Sequence, residues 1–420
     1  MGAEAAHPQQ QPPSSVRPCR EAAAPAVLGL QLSALIDHVA RVDWSLLDRV
    51  AGDRGGSQQD ESLAIMSCGC LFEPLRFLVI KSSVAFTEKG PACWLACSAL
   101  HTSGKVSIVE LNHILNEVNT HILPSHNDLT PITTIAGGSV ANTIRGLSAG
   151  FGISTGIIGA CGDDNQGLLF VNNMSFSGVD LTRLRAKKGH TAQCVCLVDA
   201  SGNRTMRPCL SSAVKIQANE FRKEDFKGSK WLIVRYAQQN MEQIIEAIRI
   251  AKQEGLSVSL DLASFEMVRD SRSKLINLLE TGNIDLCFAN EDEAREVIGG
   301  GLESDPEEAL AFLGKYCKWA VVTLASKGCM AKHGKQVVQV PAIGESNAVA
   351  VDTTGAGDLF ASGFLYGLVK GLPLEECCMV GACSGGSVTR ALGGEVRPEN
   401  WQWMYKQMHA RGMLLPELKN

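Results

Sequence analysis

Apolar positions along the chain change their spacing in blocks, and the spacing predicts the elements. Beyond Gly357, Phe360, Phe364 and Leu368 recur every fourth residue, which predicts a helix over 357–370 with one buried face. Similar spacing predicts helices over 374–391 and 398–409. Four short runs, 231–234, 256–262, 284–289 and 319–324, are apolar at successive positions, with helical spacing between them over 241–253, 272–279 and 291–298. Strands apolar on both faces, alternating with helices, predict a parallel sheet covered on each side. Upstream, 26–36 reads as a strand running into Asp37, 44–50 as a short helical turn, and 106–118 as a helix. A strand over 131–136 leads through Gly137-Gly138-Ser139 into a helix over 140–147, followed by a strand over 153–159 and a helix over 167–174. Alternation over 192–199, the turn Ser201-Gly202-Asn203 and the return over 204–210 predict a β-hairpin. No internal repeat is visible.

Composition narrows the class. The chain has 420 residues, 45% hydrophobic and 20% charged, an ordinary globular balance with room for one large α/β domain or two smaller ones. A net charge of −5 with no basic tract argues against nucleic acid as a partner. No run reaches about 18 uninterrupted apolar residues, so no membrane span is expected. Fifteen cysteines, several inside predicted strands (Cys194, Cys196, Cys287), read as buried free thiols in a reducing, cytoplasmic setting. The tail over 1–25, rich in Ala, Pro and Gln, is expected to be disordered. Organelle targeting by it stays open, though Glu4 and Glu21 speak against it. The stretch 57–105 breaks the regular periods and carries Cys68, Cys70, Cys93 and Cys97 at spacings that suit structural zinc poorly. It is read as an insertion foreign to the fold, either genuine or left by a mistaken gene prediction.

Four places carry candidate chemistry, each beside a plainer explanation. In Asp352-Thr353-Thr354-Gly355-Ala356-Gly357-Asp358 a glycine turn opens a helix, whose free N–H groups and dipole suit an anion. An aspartate there would repel a merely bound anion, but it suits a base taking a proton while the amides steady a phosphoryl group. The plainer explanation is a tight turn with an acid on the helix dipole. Gly137, Gly138 and Asn142 form a second strand-to-helix turn, suited to close ligand approach or simply to capping by Ser139. Asn290 and Glu293 have the spacing of a capping box. Asp37, after its strand, is a turn residue or an acceptor of hydroxyl groups. Phe360 stands where a dinucleotide fingerprint needs glycine, and no Gly-Lys-Ser/Thr is present for a P-loop.

Taken whole, Asp-Thr-Thr-Gly-Ala-Gly-Asp resembles the C-terminal signature of the PfkB-type (ribokinase-like) sugar and nucleoside kinases. The run from Gly137 through Asn142 to Gly159-Ala160-Cys161-Gly162-Asp163-Asp164-Asn165-Gln166-Gly167 resembles the N-terminal signature, and Asn290 to Glu293 resembles the family's Asn-x-x-Glu. The resemblance covers roughly 27–54 and 106–407. It implies a three-layer α/β/α domain over 26–414 with a mainly parallel sheet and a small β lid that includes 190–210. Arg204 and Arg207 of that hairpin either meet ligand or are solvated. Asp163 and Asp164 read as acids that start a helix and hold the fold.

The same resemblance implies a division of labour. ATP would lie with its γ-phosphate over the amides of Gly355, Ala356, Gly357 and Asp358, with Asp358 as the base. Asp37, Gly137, Gly138 and Asn142 would hold a hydroxymethyl group of a sugar or nucleoside, with a lean towards adenosine-like acceptors. Thr323, Ser326, Gly328 and Thr354 would meet the nucleotide, and Asn290 and Glu293 would organise Mg²⁺, Glu293 through water. A monovalent cation and a homodimer are compatible with the family. Two departures stand out. Ala325 replaces the first glycine of Thr-x-Gly-x-x-Gly, and Ala263 replaces the asparagine of Asp-x-Asn after Asp261. The competing expectation is a catalytically silent relative that serves as a binding or scaffold subunit.

Overall fold

Buried strands need cover on both sides, and the chain supplies it. The computed structural model describes residues 24–43, 46, 106–121, 132–200, 202, 204–211, 213–299, 305–344 and 350–417. The expected insertion 57–105, nearly all of the tail and most of the turn 44–50 lie outside the described residues.

Among the described residues nine strands form the large sheet: β1 (Val27–Gln31), β4 (Thr155–Gly162), β5 (Leu184–Lys187), β8 (Trp231–Arg235), β9 (Ser257–Asp261), β10 (Leu286–Asn290), β11 (Trp319–Thr323), β12 (Cys329–His333) and β13 (Gln336–Val340). Their spatial order is β13-β12-β11-β10-β9-β8-β1-β4-β5. All pairs are parallel except β11 with β12 and β12 with β13. Residues along each strand alternate between two cores. Trp231, Ile233, Leu286, Phe288 and Val321 pack on one face with α2 (Ser139–Phe151), α9 (Ala356–Lys370), α10 (Leu374–Val388) and α11 (Pro398–Ala410). Leu232, Val234, Cys287, Ala289 and Val322 pack on the other with α4 (Met241–Gln253), α6 (Arg272–Glu280), α7 (Glu291–Ile298) and α8 (Pro306–Leu313). This is the expected three-layer α/β/α architecture, with α3 (Asn165–Phe176) and α5 (Phe265–Asp270) completing the cover.

A second sheet has the order β3-β2-β6-β7, from β2 (Leu35–Arg41), β3 (Thr133–Gly137), β6 (Ala192–Val198) and β7 (Arg204–Cys209). The expected hairpin is therefore half of a four-stranded layer. One side of that layer packs Ala40, Val195 and Leu197 against α1 (Ile108–His121).

One expectation is corrected. The run 26–36 is not one strand ending at Asp37. The chain leaves the large sheet after Gln31 and enters the small one at Leu35, so Asp37 sits inside β2. Continuous hydrophobicity hides the break, because both strands are buried.

Candidate functional site

Parallel strands end together at one edge of the large sheet, and there the chain places Gln31, Arg235, Asp261, Asn290 and Thr323. Helices α2 and α9 both begin above this edge, and neither has a side-chain cap at its N-cap residue, Gly138 or Gly355. First-turn N–H groups and two helix dipoles therefore converge on one crevice.

Glycine is required at both starts. Gly138 has φ 94° and Gly355 φ 78°, left-handed values open to glycine at little cost. A Cβ on Gly137 would fall 2.1 Å from the Asp37 carboxyl, and one on Gly355 would fall 2.9 Å from Gly394 Cα. Gln31 closes the first turn: its Nε2 donates to Gly137 O at 3.0 Å, and its Oε1 accepts from Ala141 N at 2.9 Å.

A hydrogen bond joins the two helices at the crevice. Asn142 Nδ2 donates to Asp358 Oδ2 at 2.9 Å. Thr143 and Ser362 hydroxyls both donate to Asp358 O, at 3.2 and 3.0 Å, which fixes the backbone carrying that carboxylate. Behind Asn142 lies Arg145, buried to 3% exposure. Its Nη2 donates to Asn142 Oδ1 at 2.8 Å and to Gly394 O at 3.1 Å, while Nη1 donates to Ala136 O at 2.9 Å and Asn173 Oδ1 at 2.7 Å. Asn142 is thus held with its amide N–H aimed at Asp358. Sequence reasoning missed Arg145 and Gln31. Arg145 had a signal, since it follows Asn142 by three residues on an otherwise apolar helix face.

Asp37 is 3% exposed, and among the described residues its Oδ1 has no hydrogen-bond partner. Burial pushes its carboxyl from the ordinary 3.8 to about 7; the Arg145 charge draws it down and the Asp358 charge pushes it up. A cavity between the sheet edge and the two helices is lined by Ser139, Thr143, Arg235, Asp261, Phe288 and Asp358. Arg235 donates to Ser139 Oγ and, at 2.8 Å, to Ala263 O.

Asn290 and Glu293 form the predicted capping box. Glu293 N donates to Asn290 Oδ1 at 2.9 Å, and the Glu293 carboxylate accepts from Asn290 N and Nδ2, both at 2.8 Å. Burial raises Glu293 to about 8, and the Asp261 charge adds to that. Burial likewise raises Asp261, against the pull of Arg235. Thr323 pairs with Asn290 across β10 and β11. Ser326 sits exposed in the single turn that follows, and Gly328, at φ 99°, leaves no room for a Cβ against Val340 O.

Two expected nucleotide or phosphate contacts are differently engaged. Ala356 N donates to Thr353 O at 3.3 Å, which leaves the amides of Gly357 and Asp358 as the first-turn donors. Thr354 N and Oγ1 both donate to Asp352 Oδ1, at 2.8 and 2.7 Å, while Asp352 Oδ2 accepts from Gly393 N at 2.8 Å. Arg204 is half-buried, and its Nη1 donates to Thr353 O and Oγ1, both at 3.2 Å, so the small sheet reaches the turn before α9. Asp164 caps α3 through Gly167 N at 2.9 Å and also binds Thr191, in keeping with a fold-holding acid.

Comparison with known proteins agrees with this architecture. Residues 105–400 match the sequence model of the pfkB family carbohydrate kinases. Adenosine kinase 2 of Arabidopsis thaliana is 25% identical over 319 residues, 69% of this chain and 89% of that protein. An uncharacterized sugar kinase of Archaeoglobus fulgidus is 28% identical over 243 residues, 56% of this chain and 91% of that protein. Among solved structures, adenosine kinase from Sinorhizobium meliloti superposes with a TM-score of 0.70 at 24% identity, covering 92% of this chain and 99% of its own. At such identity the likeness speaks for the fold.

Proposed function

The chain belongs to the pfkB family of carbohydrate kinases, and on that premise we propose that it moves the γ-phosphoryl group of ATP to a hydroxymethyl oxygen of a sugar or nucleoside. The observation that carries the reading is the Asn142–Asp358 hydrogen bond, which puts a carboxylate at the meeting point of two glycine-led helix starts. Asp358 takes the proton of the acceptor hydroxyl as its oxygen attacks phosphorus. Asn142 keeps the carboxylate aimed, and Arg145 keeps Asn142 aimed. First-turn amides of Gly357 and Asp358 bind the equatorial oxygens as negative charge builds on them. Phosphoryl transfer needs mainly positioning and charge neutralisation, and these groups supply both.

Asp37, Gly137 and Gly138 border the acceptor. The unpaired Asp37 Oδ1 is free to accept from a hydroxyl. Thr323, Ser326, Gly328 and Thr354 border the nucleotide. The residues present also fit Mg²⁺: burial and the Asp261 charge raise Glu293, burial and the Asp358 charge raise Asp261, and a divalent cation would offset that excess charge. Glu293 with Asn290 would hold it through water, and bound to ATP it would neutralise phosphate charge.

The test is transfer of labelled phosphate from ATP across a panel of sugars and nucleosides, with Mg²⁺ varied. Stoichiometric, Mg²⁺-dependent phosphorylation of one acceptor class is expected. ATP that stays intact with every acceptor would overturn the proposal.

A further inference from the structure

The small sheet turns one face away from α1, and on it three metal-binding side chains stand together. Strands β2 and β6 run parallel, with Asp37 opposite Cys194 and Val39 opposite Cys196. Side chains two apart on a strand share a face, so both thiols lie on the Asp37 side. One carboxylate oxygen and the two Sγ atoms all lie within 4.8 Å of one another. We propose that Asp37, Cys194 and Cys196 bind a thiophilic divalent ion of the zinc type.

The sulfur geometry matches such an ion. Two sulfurs each ~2.3 Å from a tetrahedral Zn²⁺ stand about 3.8 Å apart. Cys194 Sγ and Cys196 Sγ are 3.9 Å apart, which is right for a shared metal and nearly twice the length of a disulfide bond, about 2.05 Å. The carboxylate offers an independent reason. Asp37 is 3% exposed, yet Oδ1 has no partner, an arrangement that a bound cation would satisfy. Val39, Val198, Met206 and Leu392 surround the thiols, and such apolar walls favour metal–thiolate bonds over a hydrated ion.

Binding converts each thiol to a thiolate and the Asp37 carboxyl, where it holds a proton, to a carboxylate, and the protons pass to solvent. Three protein ligands leave the fourth position of the ion to water. Because the ion occupies the Asp37 carboxylate, it competes with the acceptor and not with ATP. This kinetic consequence rests on the proposed acceptor role of Asp37; the binding itself does not.

The test starts from the full chain stripped with chelator, titrated with Cd²⁺ while thiolate-to-cadmium absorption is followed, with Zn²⁺ as competitor. One equivalent is expected to be lost in Cys194→Ala and in Cys196→Ala, and weakened at least ~10-fold in Asp37→Asn. Cys383→Ser, buried in α10 and outside the cluster, is expected to bind as the parent does. The alanine variants keep an apolar side chain in an apolar layer, and circular dichroism verifies their fold. A folded Cys196→Ala protein that binds Cd²⁺ with unchanged stoichiometry and affinity would overturn the site. The kinetic arm uses the acceptor identified in the kinase panel: Zn²⁺ is expected to raise its KM in the parent but not in Cys196→Ala. Metal bound at the site with acceptor KM unmoved would overturn the acceptor role of Asp37 while supporting the site.

Discussion

At the starts of α2 and α9 the left-handed backbone positions belong to glycine, Gly138 and Gly355; at the ends of β9 and β11 they belong to alanine, Ala263 at φ 75° and Ala325 at φ 50°. A Cβ in that region costs about 1–2 kcal/mol. The helix-start side of the crevice is therefore built without strain, and the strand-end side stores some. Neighbours hold the strained residues in place. Ala263 N donates to Asp261 Oδ1 at 2.9 Å while its carbonyl accepts from Arg235, and Ala325 O accepts from Gly328 N at 3.1 Å. Both alanines stand where the resemblance expects glycine or asparagine, residue types that reach this conformation easily. This difference between the two sides can be tested.

The largest effect is expected on the unstrained side, at Arg145→Met. That change removes a buried cation between Asp37 and Asp358 and leaves the carbonyls of Ala136 and Gly394 without their donor. Destabilisation of ~3–5 kcal/mol is expected in urea unfolding. A loss below ~1 kcal/mol would show that Arg145 is not what fixes Asn142. Next comes pH. The folded protein keeps a proton on Asp37 that the unfolded chain has released between the ordinary 3.8 and about 7. Unfolded chains then bind fewer protons, so stability falls as pH rises through that window. Urea midpoints of chelator-treated protein should decline accordingly, and Asp37→Asn should flatten the decline.

Smaller effects separate the two sides directly. Gly138→Ala places a Cβ against Gln31 at φ 94° and should destabilise by ~2 kcal/mol. Ala325→Gly relaxes its site at the price of a looser unfolded chain, for a net gain of ~0.5 kcal/mol or less. Equal losses at both positions in thermal melts would erase the distinction.

Much of this was legible along the chain, and for identifiable reasons. Helices 241–253 and 291–298 agree with the structure residue for residue, because strong apolar periodicity ran up to clear ends. The Asn290–Glu293 box and the Asp164 cap are local, and local chemistry survives in sequence. The step from β1 to β2 was not legible, since Leu32 and Ala34 are as buried as the strands they separate. Strands β5, β12 and β13 and helices α5 and α8 were missed; the edge strand β13 in particular is largely exposed. Within the site, glycines and acids announced themselves by spacing. Gln31 did not, because its partners lie 106 and 110 residues away, at Gly137 and Ala141, while Arg145 left only the local signal of its three-residue spacing from Asn142.

Everything chemical in this account turns on the side chain at position 358. The most direct measurement is steady-state kinetics of Asp358→Asn with ATP and the acceptor found in the panel. Asparagine keeps the size and can still meet Asn142, but it cannot take a proton. A fall in kcat of ~100-fold or more, with acceptor KM within about threefold of the parent, is the predicted result. Turnover near that of the parent would contradict the assignment of Asp358 as the base.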